Sequence, residues 1–150
     1  MTDAASRLIP HHDGSPLHVS TLAPALGETV RVRVRIPHAW GQADIVRARS
    51  NPDHEPAWTD AVLLGADGGW DWWEAEVVVA NPRHGYRFMI RRDDGRVFWL
   101  NQAGLHEIET LDAEDFALVA YPAPPAWMYD AVMYQVFPDR FARSSEADTH

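Results

Sequence analysis

The sequence contains no cysteine and no lysine. Without cysteine it forms no disulfide, and thiol usage says nothing about redox compartment. All thirteen basic residues are arginine, and no function is read from that preference. Acidic residues number twenty-two, for a net charge of −9. This balance argues against nucleic-acid binding, where phosphate contacts need clustered cations, and against docking on an anionic membrane. Long apolar runs are also missing. No stretch approaches the ~20 residues of a membrane helix. The opening segment, MTDAASRLIPHHDG, carries Asp3 and Pro10 and lacks the apolar region of a secretion signal. A cytoplasmic protein is therefore expected. No internal repeat or low-complexity tract is visible. The eight histidines show no ligand spacing, and His11 and His12 fall in a segment read as a loose arm over residues 1–14. A zinc site needs three or four convergent ligands, so no metal is expected.

What is present is a chain able to build a core: 46% hydrophobic, 11% aromatic, with seven tryptophans. Its 150 residues suit one domain with a fragment of a second. The clearest element is ETVRVRVRIP. Val30, Val32, Val34 and Ile36 alternate with Arg31, Arg33 and Arg35, which predicts a strand with one dry and one wet face. The arginine face is expected to pair with acids on a neighbouring strand. PLHVSTLAP is expected to form a short strand with Leu17 and Val19 on one side. DIVRARS and TDAVLL are further strands, separated by a loop over NPDHEPAW. In WDWWEAEVVVA, Trp73, Ala75, Val77 and Val79 share the core parity, leaving Trp70, Trp72, Glu74 and Glu76 on the other face. YRFMIRRDDGRVFWL reads as a hairpin with Tyr86, Phe88 and Ile90 inward and a tight two-residue turn at Asp94-Gly95. DFALVAY closes the unit. Seven or eight short strands, no convincing helix and turn signals every 8–12 residues predict an all-β, immunoglobulin-like antiparallel β-sandwich over 15–121.

YPAPPAW then stiffens the chain as a linker, 122–126. Beyond it, DAVMYQVF is apolar on both faces, the pattern of a strand buried in a parallel sheet. Nothing left in the sequence supplies that sheet, so 127–150 is expected to be the truncated start of another domain.

The run WMYDAVMYQVFPDRF, Trp127 to Phe141, resembles the segment that opens the (β/α)8 barrel of glycoside hydrolase family 13, in the branch of neopullulanases, cyclomaltodextrinases and maltogenic amylases. WDWWEAEV followed by YRFMIRRDDGRVFWLNQAG is similar to the N-terminal sandwich of those enzymes, carbohydrate-binding module family 34. The resemblance implies a full-length enzyme that cleaves α-glucosidic bonds with retention. Such chemistry needs two carboxyl groups ~5–5.5 Å apart. In the family these lie on later barrel strands, so no catalytic residue is assigned in this chain. Asp139, beside Arg140, is expected to make a fixed ion pair or hydrogen bond at the end of the first barrel strand. The family's calcium loop resembles ANGDxxND. Here ARSSEADTH places Arg143 and Ser145 at two of its positions, which leaves calcium in doubt and no cofactor expected for this segment.

Sugar rings present flat apolar faces on which exposed aromatics stack beside polar groups. By that criterion Trp40, Trp58, Trp72 and Trp99 are the candidate carbohydrate-binding residues. The expected function is an accessory domain of an intracellular α-glucan hydrolase. Its partners would be maltooligosaccharide, cyclodextrin or starch, or the catalytic barrel of the same or a partner subunit, as in a homodimer. The rival reading is an immunoglobulin-like interaction module with no sugar role.

Overall fold

Alternation decides the first strand. In β1 (Thr29–Pro37) the side chains of Val30, Val32, Val34 and Ile36 are all buried. The computed structural model describes residues 8–121, 125–132 and 134–135. Eight further strands follow: β2 (Ala43–Ser50), β3 (Ala57–Asp60), β4 (Val62–Asp67), β5 (Trp70–Val78), β6 (Arg83–Arg92), β7 (Val97–Asn101), β8 (Gly104–His106) and β9 (Phe116–Val119). They form two antiparallel sheets. The first runs β1-β5-β4 and the second β3-β2-β6-β7-β8, with β9 alongside the start of β6. Among the described residues the only helical turns are short 3-10 segments, and no helix is long and apolar enough to cross a membrane.

The core lies between the sheets. Val30, Val32, Val34, Ile36, Ala75, Val77 and Val79 face Val46, Ala48, Tyr86, Phe88, Ile90, Leu100, Phe116 and Leu118. Trp73 is half-buried and packs against this cluster. The fold is thus the all-β sandwich expected from the alternating pattern.

Four local expectations are corrected. TDAVLL is two strands rather than one. Asp60 still pairs with Arg47 of the second sheet, the Ala61 amide donates to the Val46 carbonyl, and Leu63 already pairs with Trp73 of the first sheet. The chain therefore changes sheets at Ala61. The preceding loop is shorter than expected, because Ala57 and Trp58 already belong to β3. The β6–β7 turn has three residues. The Arg92 amide reaches the Arg96 carbonyl, and only Gly95 of the turn has positive φ, +84°. A three-residue turn with a left-handed glycine matches the strand twist as well as the two-residue form does. PLHVSTLAP is not a strand. The amides of His18 and Val19 both donate to the Ser15 carbonyl, curling the chain so that Leu17 is exposed while Val19 is buried.

The segment expected to be a loose arm is docked from His11 onward. His11 exchanges two backbone hydrogen bonds with Arg35 of β1, at 2.9 and 3.1 Å. The Arg33 amide donates to the His18 carbonyl and the Ser20 amide to the Arg31 carbonyl. One side of β1 is thereby satisfied by irregular chain, which protects the strand from pairing with another molecule. At the other end, residues 126–129 form a 3-10 turn. The described positions of the expected barrel strand, 130–132 and 134–135, hold no strand, and Val132 and Tyr134 are exposed. The remainder of that strand, Asp139 and the loop after it lie outside the described residues.

Candidate functional site

The outer face of the first sheet is built by cross-strand register. Arg33 lies opposite Glu74, Arg35 opposite Trp72, and Pro37 opposite Trp70. The Arg33 Nε donates to Glu74 at 2.7 Å, and Arg31 approaches the same carboxylate at 3.8 Å. The guanidinium of Arg35 sits 4.5 Å from the Trp70 ring centroid, within cation–π range. The arginine face is therefore paired with acids and aromatics of β5. Beside it, the half-buried Trp72 stacks on the His18 imidazole, with centroids 5.5 Å apart and planes inclined by 30°.

Trp72 also lines an open cleft of about 390 Å³, with Leu17, Arg33, Leu64, Ala66 and Asp67 around it. A bulge in β4 shapes one wall. Leu63 pairs with Trp73 and Gly65 with Trp72, so Leu64 is an extra residue on the bulged strand. Gly65 has φ +142°, a conformation that disfavours any Cβ. The cleft thus offers one aromatic ring supported from behind, apolar flanks, a guanidinium and a carboxylate. That is a combination suited to a flat ring bearing hydroxyls.

A second aromatic surface lies on the face of the other sheet that points away from the core. Trp58 is 47% exposed. It leans over Trp99 at 5.9 Å between centroids, and the Arg87 guanidinium is 5.6 Å from the Trp99 ring. Trp99 itself is only 8% exposed. A network of charges fills this face. Buried Arg87 donates to buried Asp115 at 2.8 Å and to Asp112 at 2.9 Å, and Arg49 and Asn51 also donate to Asp112. Burial pushes the Asp115 carboxyl up, against the attraction of Arg87. At Asp112 burial acts in the same upward direction, but the hydrogen bonds from Arg87 and Arg49 prevail and hold its carboxyl below the ordinary range.

Trp40 is elsewhere again. It follows β1, packs against the core and meets Phe98 edge-on at 4.8 Å, with the Arg92 guanidinium 5.4 Å from its ring. The four candidate tryptophans therefore do not converge. Trp58 and Trp99 adjoin, Trp72 occupies the opposite sheet, and Trp40 is part of the packing.

Sequence reasoning missed the polar cluster under the docked arm. His12 is buried, its Nδ1–H donating to the Arg33 carbonyl at 2.7 Å and its Nε2 accepting from the Tyr86 hydroxyl at 2.7 Å. Burial pushes the His12 imidazole down to about 4, with the Arg33 hydrogen bond opposing. Burial likewise raises the Tyr86 hydroxyl. His18 donates from Nδ1 to Asp13 at 2.6 Å, and burial lowers its pKa although Asp13 pulls the other way. Burial alone would raise Asp13, yet hydrogen bonds from Ser15 and His18 leave it far below the usual carboxylate range. Among the described residues, one group has the donor types and proximity of a metal centre: His11, Asp13 and His18. The HH pair was the available signal, but its partner His18 lies beyond a turn that spacing does not reveal.

An antiparallel β-sandwich with tryptophans on the outer faces of both sheets is the class that these observations define. No protein-family model matches the chain. In sequence it is similar to the cyclomaltodextrinase of Geobacillus thermopakistaniensis (strain MAS1), 29% identical over 104 residues, which is 63% of this chain and 18% of that protein. It is also similar to neopullulanase 2 of Thermoactinomyces vulgaris, 26% identical over 130 residues, 79% of this chain and 22% of that protein. The chain spans less than a quarter of the length of either relative. A solved cyclomaltodextrinase structure shares the fold with a TM-score of 0.62, over 87% of this chain and 23% of that one, at 24% identity.

Proposed function

We propose that this chain is an accessory β-sandwich of a larger, cytoplasmic α-glucan hydrolase, and that the Trp72 cleft is its contact for maltooligosaccharide or cyclodextrin. The observation that carries the reading is Trp72 itself: an aromatic ring backed by His18 and lining an open cleft beside Arg33 and Asp67. The likeness to proteins named cyclomaltodextrinase and neopullulanase supports an α-glucan as the ligand class. Catalysis is assigned to parts of such an enzyme outside this chain. Trp58 is a secondary platform, and Trp40 and Trp99 contribute packing.

One feature favours a second role for the same domain. Val62, Leu63 and Leu64 are all more than half exposed along β4, next to the cleft. Such a patch suits packing against a catalytic barrel, in the same or a partner subunit. The two roles separate in one experiment. Titration of the chain with β-cyclodextrin by calorimetry should show binding that Trp72→Ala weakens at least tenfold and Trp58→Ala changes little. If the unsubstituted chain takes up no cyclodextrin or maltoheptaose, glucan binding is refuted and the packing role, or a scaffold with no sugar role, stands in its place.

A further inference from the structure

We propose that His11, Asp13 and His18 form a binding site for a single divalent transition-metal ion, of the zinc type, at the junction of the docked arm and β1. One ligand atom from each residue lies within 4.8 Å of the others. The His11 Nε2 is 3.7 Å from one Asp13 carboxylate oxygen, and the His18 Nδ1 is 2.6 Å from the other. Around a tetrahedral ion with ligands at ~2.1 Å, donor atoms sit roughly 3.4 Å apart. The first separation already suits that arrangement. The second is a hydrogen bond and has to open by less than about 1 Å for an ion to enter.

The ligands are held by the fold and not by the ion. His11 is fixed by its paired backbone hydrogen bonds to Arg35. Asp13 Oδ1 accepts the Ser15 amide at 2.9 Å, which orients the carboxylate and leaves Oδ2 free toward His11. The His18 backbone is tied both to Ser15 and to Arg33, and its ring is pressed against Trp72. Preorganisation of this kind lowers the cost of assembling a site.

On binding, the ion takes His11 Nε2, the Asp13 carboxylate and His18 Nδ1. The proton on His18 Nδ1 moves to Nε2, so the imidazole remains neutral and no oxidation change is involved. The side chains of His11 and Asp13 are 43% and 46% exposed, which gives the ion a route in and leaves a fourth position for solvent. Two imidazole nitrogens and one carboxylate select zinc, cobalt or nickel over calcium and magnesium, which prefer oxygen alone. The consequence is a clamp across the 11–18 segment.

The test is calorimetric titration of the metal-free full chain with Zn²⁺ and, separately, Ca²⁺, alongside thermal unfolding. One equivalent of Zn²⁺ should bind and raise Tm by several degrees, while Ca²⁺ should do neither. His11→Ala removes an exposed ligand, and Asp13→Asn keeps the acceptor for Ser15 while removing the charge. Each should weaken Zn²⁺ at least tenfold, whereas His54→Asn, at an exposed histidine elsewhere, should leave it unchanged. Absence of Zn²⁺ binding, affinity in His11→Ala and Asp13→Asn unchanged from the unsubstituted chain, or Ca²⁺ binding as tight as Zn²⁺ each overturns the proposal.

Discussion

A single guanidinium holds much of one face of the protein. Arg87 and Asp115 are each about 1% exposed and 28 residues apart in sequence, and their pair ties the chain just before β9 to β6. Removing Asp115 strips the Arg87 Nη1 of its buried partner and leaves the guanidinium charge to the more exposed Asp112; breaking a buried ion pair in this way costs about 3–5 kcal/mol. Asp115→Ala should lose stability in that range by urea denaturation. Glu109→Ala, which removes a half-exposed carboxylate 3.6 Å from the same arginine, should cost under about 1 kcal/mol. Equal losses would mean that the network is not organised around Asp115. Residue-level reading from sequence succeeded where parity alone decides: Val30, Val32, Val34, Ile36, Tyr86, Phe88 and Ile90 are all buried. It failed at Trp99, whose parity points outward. Trp99 meets the Trp58 ring and the Arg87 guanidinium from other strands of its sheet, and alternation within one strand carries no information about that.

Among the elements, β4 pairs with β5 through a bulge. Its bulge depends on Gly65 at φ +142°, and no atom would obstruct a Cβ there, so backbone strain is the main obstacle to substitution. Gly65→Ala should destabilise the protein by about 1–3 kcal/mol, read by chemical denaturation. It should also disturb the cleft wall, since Gly65 faces Trp72 across the pair. A neutral effect would show that β4 can straighten without cost. The strands with strong alternation, β1 and β5, were legible in the sequence. β3 and β4 were not distinguishable as separate strands. Six residues, TDAVLL, read as one, because a change of sheet at Ala61 interrupts no hydrophobic pattern and needs no glycine or proline.

For the whole molecule, acid is the lever on stability. Burial holds His12 at about 4 in the fold against an ordinary 6.5, and it lowers His18 and His84 as well. Between those two values the unfolded chain binds protons that the folded chain refuses. Stability is therefore complete above about pH 6.5, falls as pH drops, and for His12 is fully lost near pH 4. That amounts to roughly 3 kcal/mol for this residue alone. Asp115, pushed up by burial, opposes the trend at the acid end. Urea midpoints between pH 7 and pH 4.5 should fall steeply, and His12→Phe should flatten the slope by about one proton; an unaltered slope would assign the acid sensitivity to other groups. The sandwich as a whole was legible from turn spacing and alternation, but the docking of residues 11–20 was not, since irregular chain leaves no periodic trace. That docking makes the three-stranded sheet one-sided. β1 has its outward backbone valences occupied by the arm, whereas among the described residues β4 pairs with β5 alone. The sheet can consequently be extended by an added strand in one direction only, so any polypeptide that lengthens it has to enter beside Val62–Asp67.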